Sequence, residues 1–338
     1  MSISNSSHNF EITTNTLPEA EGMITPKTKT SLEEVDRASE TSVIPILEIK
    51  DLCYRYPHLD SNALDKINLK IFKGERVAVL GANGAGKSTL FKHLNGILRP
   101  LSGEVQVKGE IITKKNVRMC RETVGIVFQD PDDQVLAPSV EEDIAFGPIN
   151  MGLSRVEVEK RVKEALEMVG LTGFEERAPH HLSGGQKKLV AIAGILAMRP
   201  EVIVLDEPTA GLDPLSSARI LELIMKMNRK LGITLLLSTH DVDVVPYFAE
   251  RVFVLHHGNL EADGSPDEIF NDSKLLGKAH LRLPRVAEVF EMLQQEGLDV
   301  NIQITAEKAR DEILRLVRDR KSVGLIESRK EGSFSENL

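Results

Sequence analysis

The 338-residue chain carries a net charge of −9 and is 41% hydrophobic and 28% charged, which is enough apolar mass for one large core or two modest ones. The acidic balance, with 4% aromatics and no tryptophan, argues against nucleic acid as a partner, since a phosphate backbone needs a basic face and single strands need stacking surfaces. Two cysteines, Cys53 and Cys120, cannot by themselves make a cysteine zinc site and read as inert thiols of a reduced compartment. No stretch approaches the ~20 apolar residues of a membrane span, and no charged-then-apolar signal opens the chain, so any membrane role is expected to come through partners.

Residues 1–44, rich in Ser, Thr, Asn and Glu and without periodicity, read as a disordered leader. From Ile46 short strand-like runs follow: ILEIKDLCYRY, INLKI, and the apolar Val77 to Leu80. A helical pattern, LFKHLNGIL, comes next, and then the strand-like EVQVKG and VGIVFQ. From Val140 to about Met198 the reading is helical, with Ser154 and Glu157 as a capping box and Gly170 as a stop. EVIVLDEP and GITLLLSTHD look like buried parallel strands flanking the helix ARILELIMKMNRK. RVFVLHHG and NLEADG suggest a closing hairpin. Beyond Ser265 come a short helix (SPDEIF), an amphipathic helix (RVAEVFEMLQQEG) and a strand candidate (VNIQIT). A further helix, AEKARDEILRLVRDR, precedes a tail expected to be disordered from about Ser322.

Between the run Val77–Leu80 and the next helix lies Gly81-Ala82-Asn83-Gly84-Ala85-Gly86-Lys87-Ser88-Thr89. Strand, glycine loop and helix start form the context in which G-x-x-x-x-G-K-[ST] means a phosphate cradle. The glycines let main-chain N–H groups approach a polyphosphate, and the helix N-terminus adds its positive dipole end. Lys87 is placed to reach the β- and γ-phosphates, and the Ser88 hydroxyl to ligate Mg²⁺. VIVLDEP puts two carboxylates at a strand end: Asp206 for the Mg²⁺ shell and Glu207 to polarise the water that attacks the γ-phosphate.

LSGGQ opens another helix, with Ser183 as N-cap followed by Gly184, Gly185 and Gln186, and makes a second anion cradle. Two cradles about a hundred residues apart make sense if two chains pair head to tail, each closing on the other's nucleotide.

GANGAGKST, VFQD, LSGGQ, VIVLDEP, TAGLDP and STHD, in that order and spacing, resemble an ATP-binding-cassette (ABC) ATPase. The resemblance covers roughly Leu47 to Phe270. It implies a P-loop NTPase core of α/β class with an antiparallel β lobe and a helical subdomain, and beyond it the helix and strand patterns of the tail read as a small C-terminal α/β extension. The boundaries follow as a leader over 1–44, an ATPase domain over 45–274 with its helical subdomain at about 135–195, an extension over 275–321 and a tail over 322–338. It implies that Tyr56, with Tyr54 as second choice, stacks on adenine. Gln129 would touch Mg²⁺ and the attacking water, and His240 the γ-phosphate. Asp213 would couple two sites across a dimer, and Ser183 and Gly185 would clasp the partner's ATP. Leu189 stands where the family usually has an arginine.

FQDPDDQVLAPSVEEDIAFGPINMGL is similar to the ATPase subunits of energy-coupling-factor importers, and HLRLPRVAEVFEMLQQEGL to their cobalt- and nickel-importing branch. The implied partners are an identical or related ATPase, a transmembrane scaffold and a substrate-binding membrane subunit, met at the cytoplasmic face of the cell membrane. The alternatives are the same ATPase serving a vitamin or other nutrient importer, a soluble cassette ATPase acting on nucleic acid or ribosomes, and a stand-alone P-loop kinase. The last would leave LSGGQ and GLDP…STHD without purpose. His180–His181 and His256–His257 are not read as metal ligands, because adjacent histidines point apart more often than together.

Overall fold

The computed structural model describes residues 44–331. The leader therefore lies outside the described residues apart from Ile44, as do the last residues of the tail. Strands β1 (Leu47–Tyr54) and β2 (Leu64–Ile71) precede β3 (Arg76–Leu80), which leads into helix α1 (Lys87–Leu94). β4 (Ser102–Val107), β5 (Glu110–Ile111) and α2 (Val117–Thr123) precede β6 (Val124–Val127). Three helices form a lobe: α3 (Val140–Asn150), α4 (Arg155–Val169) and α5 (Gly184–Ala197). The chain then returns through β7 (Val202–Asp206), α6 (Pro214–Leu231), β8 (Thr234–Ser238), α7 (Val245–Phe248), β9 (Arg251–His256) and β10 (Asn259–Gly264). Helices α8 (Pro266–Asn271), α9 (Ser273–Ala279), α10 (Arg285–Gln295) and α11 (Ala306–Glu331) follow. Among the described residues no helix is long and apolar enough to cross a membrane.

Two sheets result. One is antiparallel, ordered β2-β1-β4-β5; the other is ordered β10-β9-β3-β8-β7-β6, parallel from β9 to β6, with β10 closing it as an antiparallel hairpin. The runs VAVL, VIVLD and TLLLS are continuously apolar because both faces of these strands are covered. Ala78, Leu80, Ile203, Leu205, Leu235 and Leu237 face the core shared with the helical lobe. Their neighbours Val77, Val79, Val202, Val204 and Leu236 face the core shared with the antiparallel sheet and α1. The sheet is thus clamped between two cores, and the loops at its β3, β7 and β8 ends are held on a rigid base.

Several local expectations change. The helical stretch is interrupted between Gly170, which is left-handed at φ 73°, and Ser183. Ser154 caps α4 by accepting from the Glu157 N–H, but the Glu157 carboxylate turns to Arg161 Nε at 2.8 Å, so only half the expected box forms. A nearby guanidinium outcompetes a neutral N–H for a carboxylate. VNIQIT is not a strand, so the described part of the C-terminal extension is helical and not α/β. Its polar main-chain groups are met by side chains instead: Gln294 Nε2 donates to Val300 O at 2.6 Å, and Asn301 N donates to Glu312 Oε1 at 3.3 Å. The backbone of α11 continues to Glu331, past the expected end near Ser322.

Candidate functional site

The phosphate loop spans the gap from β3 to α1. Gly81 (φ 153°) and Gly86 (φ 108°) are there for space: a Cβ on the first would sit 2.3 Å from Leu255 O, and on the second 2.6 Å from Ala63 O. Gly86 is the N-cap of α1, so the loop delivers the helix N-terminus directly to the cavity. Lys87, only 7% exposed, folds back across the loop, and its Nζ donates to Gly81 O at 2.7 Å and Ala82 O at 3.2 Å. Burial pushes its ammonium below the ordinary lysine value, while the carboxylates of Glu207 and Asp206 pull it back up.

A cavity of about 500 Å³ sits on this loop, lined by Asn83 to Thr89 together with Tyr56, Leu59, Ser61 to Ala63, Gln129 and Glu207. Tyr56 lies on its wall, its hydroxyl 3.1 Å from Thr89 Oγ1. Tyr54 does not line it; its ring packs edge-on between those of Tyr56 (5.0 Å) and His93 (4.7 Å). A larger adjoining cleft of about 910 Å³ is lined by Ser88, Gln129, Asp206, Lys188, Gly184 and the segments 130–133 and 210–212.

At the β7 end the two carboxylates diverge in their partners. Asp206 accepts from the Ser238 hydroxyl at 2.5 Å, and the same hydroxyl accepts from Glu207 N at 3.0 Å. Glu207 adopts φ 45°, a left-handed conformation that costs a non-glycine residue about 1–3 kcal/mol and is held by its surroundings. Its carboxylate accepts from Gln129 Nε2 at 3.2 Å and lies 3.2 Å from His240 Nδ1. Gln129 and His240, 78 positions before and 33 positions after Glu207 in sequence, therefore converge on its carboxylate at the edge of the cavity.

The LSGGQ turn is built as expected locally. Ser183 and Gln186 form a complete capping box on α5, and Asp213 caps α6 by accepting from Leu215 N, Ser216 N and Ser216 Oγ. The Ser216 hydroxyl, with that helix turn, holds the Asp213 carboxyl below the ordinary value. None of Ser183, Gly184, Gly185, Gln186 or Asp213 lines the cavity over the phosphate loop, and Gly184 alone among them reaches the larger cleft. Leu189 packs partly buried against the core of the helical lobe.

Two contributors escaped the sequence reading. Ser238 stands in STHD and Lys188 in the helix that LSGGQ opens, and the sequence reading gives neither a role. One signal was available for Lys188: it lies four residues before the fully buried Ile192, on the buried stripe of α5.

Residues 64–210 match the model of the ABC transporter family. The energy-coupling factor transporter ATP-binding protein EcfA of Methanocaldococcus jannaschii is 55% identical over 279 residues, covering 81% of this chain and 99% of that protein. A solved structure of CbiO1 from Clostridium perfringens, part of the ABC transporter complex CbiONQ, aligns with a TM-score of 0.63 at 45% identity over 73% of this chain and 99% of its own. A dimeric ATP-binding cassette in a post-hydrolysis state with ADP and Pi aligns at 0.59, with 31% identity over 65% and 98% of the two chains. With its phosphate loop, paired strand-end carboxylates and LSGGQ helix in one fold, the chain belongs to the ABC transporter ATPases, as an ATP-binding subunit of the energy-coupling-factor type.

Proposed function

We propose that this chain hydrolyses Mg²⁺-ATP at the interface of two cassettes and uses the cycle to energise a membrane importer for cobalt or nickel ions. The observation that carries the catalytic reading is the Glu207 carboxylate, at the cavity edge and held between Gln129 and His240. With ATP on the phosphate loop, Lys87 and the α1 N-terminus bind the β- and γ-phosphates, and Tyr56 stacks on the base. Glu207 accepts a proton from the water that attacks the γ-phosphorus, and the bond to the β-phosphate oxygen breaks to leave ADP and phosphate. His240 steadies the γ-phosphate beside that carboxylate. Ser88, Asp206 and Gln129, whose amide oxygen is not used by its bond to Glu207, offer three oxygen donors in one cleft. These suit the hard Mg²⁺ ion, which when bound would neutralise phosphate charge.

The dimer reading is supported by the position of Ser183, Gly185, Gln186 and Asp213 away from the chain's own nucleotide cavity. Those groups serve a second cassette, identical or related, and a solved relative is dimeric. A membrane scaffold subunit is expected on the helical lobe, where Leu136 and Phe146 stand 77% and 71% exposed beside a groove of about 320 Å³. The cargo reading comes from the resemblance of HLRLPRVAEVFEMLQQEGL to the cobalt- and nickel-importing branch and is supported by the likeness to CbiO1, part of an ABC transporter complex; with it go a position at the cytoplasmic face and a separate substrate-binding membrane subunit.

Purification from native membranes in mild detergent, followed by uptake assays in reconstituted vesicles, tests this. A scaffold plus a metal-binding membrane subunit, with ATP-driven cobalt or nickel uptake lost in Glu207→Gln, is expected. A vitamin-binding subunit in its place overturns the cargo. Undiminished ATP hydrolysis in Glu207→Gln overturns the assignment of the base.

A further inference from the structure

Lys188 sits one helical turn inside α5, past the Ser183–Gln186 cap, and is 4% exposed. A buried ammonium needs a reason, since desolvating it is costly. Among the described residues no carboxylate lies within ion-pair distance of it; its Nζ donates instead to two main-chain carbonyls, Ala210 O at 2.8 Å and Glu207 O at 3.2 Å. The Glu207 carbonyl also accepts from Ala210 N at 3.1 Å, so the ammonium closes over a turn that begins at Glu207 and ends at Ala210. That turn starts with the left-handed Glu207, whose side chain reaches Gln129 and His240.

We infer that Lys188 is a positioning residue that ties the LSGGQ helix of a chain to the Glu207 main chain of the same chain, and so couples occupancy of one nucleotide site to the aim of the base in the other. The inference rests on the reading of Glu207 as the base and of the α5 N-terminus as the clasp for a partner's ATP. The coupling is mechanical. Residues 183–188 form one capped helical turn, so a shift of the α5 N-terminus carries the ammonium with it. The ammonium in turn holds the two carbonyls that fix the Glu207 backbone. Burial pushes Lys188 down from the ordinary lysine value, and the nearby carboxylates of Glu207 and Asp130 pull it up. Lys188 lines the adjoining cleft but not the cavity over the phosphate loop, so ATP binding in that cavity is expected to be independent of it.

The test uses the full chain, with kcat, KM and the Kd of a fluorescent ATP analogue measured on Lys188→Met, Lys188→Gln, Glu207→Gln and the double variant Lys188→Met/Glu207→Gln. Lys188→Met, of similar length but without donors, is expected to lower kcat about tenfold or more with KM and Kd unchanged. Lys188→Gln, with an amide in place of the ammonium, is expected to lose about threefold or more, and is read by itself if the methionine variant does not fold. The double variant is expected to be no slower than Glu207→Gln alone, as befits a residue acting through that carboxylate. Wild-type kcat in either single Lys188 variant, a parallel loss of ATP affinity, or a double variant slower than Glu207→Gln overturns the inference. An active Glu207→Gln instead overturns the reading of the base on which it stands, and is told apart by that variant alone.

Discussion

Replacing Ser238 by alanine probes the joint between the two strand-end carboxylates. Ser238 has no exposed surface, its hydroxyl donates to Asp206 at 2.5 Å, and the same oxygen accepts from Glu207 N at 3.0 Å. A hydrogen bond to a charged group contributes about 1.5–3 kcal/mol, and its removal leaves a buried carboxylate short of a donor. The Glu207 amide keeps its second acceptor, Ser238 O at 3.2 Å, so its share of the loss is small. The expected destabilisation is about 2–3 kcal/mol, read as a shift of the urea midpoint at constant m-value. A double-mutant cycle with Asp206→Asn isolates the pair and should give a coupling of about 1.5–3 kcal/mol. ATP hydrolysis at saturating Mg²⁺ should fall, because the Asp206 carboxylate loses the contact that orients it, while Mg²⁺-free ATP binding stays. A loss below about 0.5 kcal/mol, or additivity of the two substitutions, would refute the account.

Two further outcomes follow from the geometry. Gly86→Ala places a Cβ 2.6 Å from Ala63 O at φ 108°, so melting should shift down by several degrees and ATP affinity in a fluorescence titration should fall about tenfold or more. Unchanged melting and affinity would mean that the loop adopts another conformation. The Lys108 and Lys73 ammonium groups hold the Glu201 carboxyl below its ordinary value, so this pair stabilises the fold above about pH 4.5 and the contribution is lost as pH falls through the lowered native value. Glu201→Gln should therefore flatten the acid limb of stability between about pH 5 and pH 3, by less than about 1 kcal/mol because the group is one-third exposed, as urea midpoints across that range would record.

What could be read from the chain alone was what is local. The phosphate loop is a strand, a turn and a helix start in one continuous segment, so its glycine spacing carries its own conformation. The Ser183–Gln186 box likewise closes over three residues, and the alternation of faces was implicit in the unbroken apolar runs of β3, β7 and β8. Where a competing partner stood nearby the local signal misled: Glu157 gave its carboxylate to Arg161 one turn along the same helix, and VNIQIT, apolar enough for a strand, had its main chain met by Gln294 and Glu312 instead of a neighbouring strand.

The constellation around Glu207 belongs to the tertiary structure. Gln129, Lys188 and the Ser238–His240 stretch arrive from three separate segments and meet only because β6, β7 and β8 are adjacent in one parallel sheet with α5 packed over it. Sequence determined which groups were present. The placement of Tyr56, not Tyr54, on the cavity wall and the burial of Lys188 against two carbonyls required the packed sheet. Such contacts depend on distances that no short segment of chain encodes.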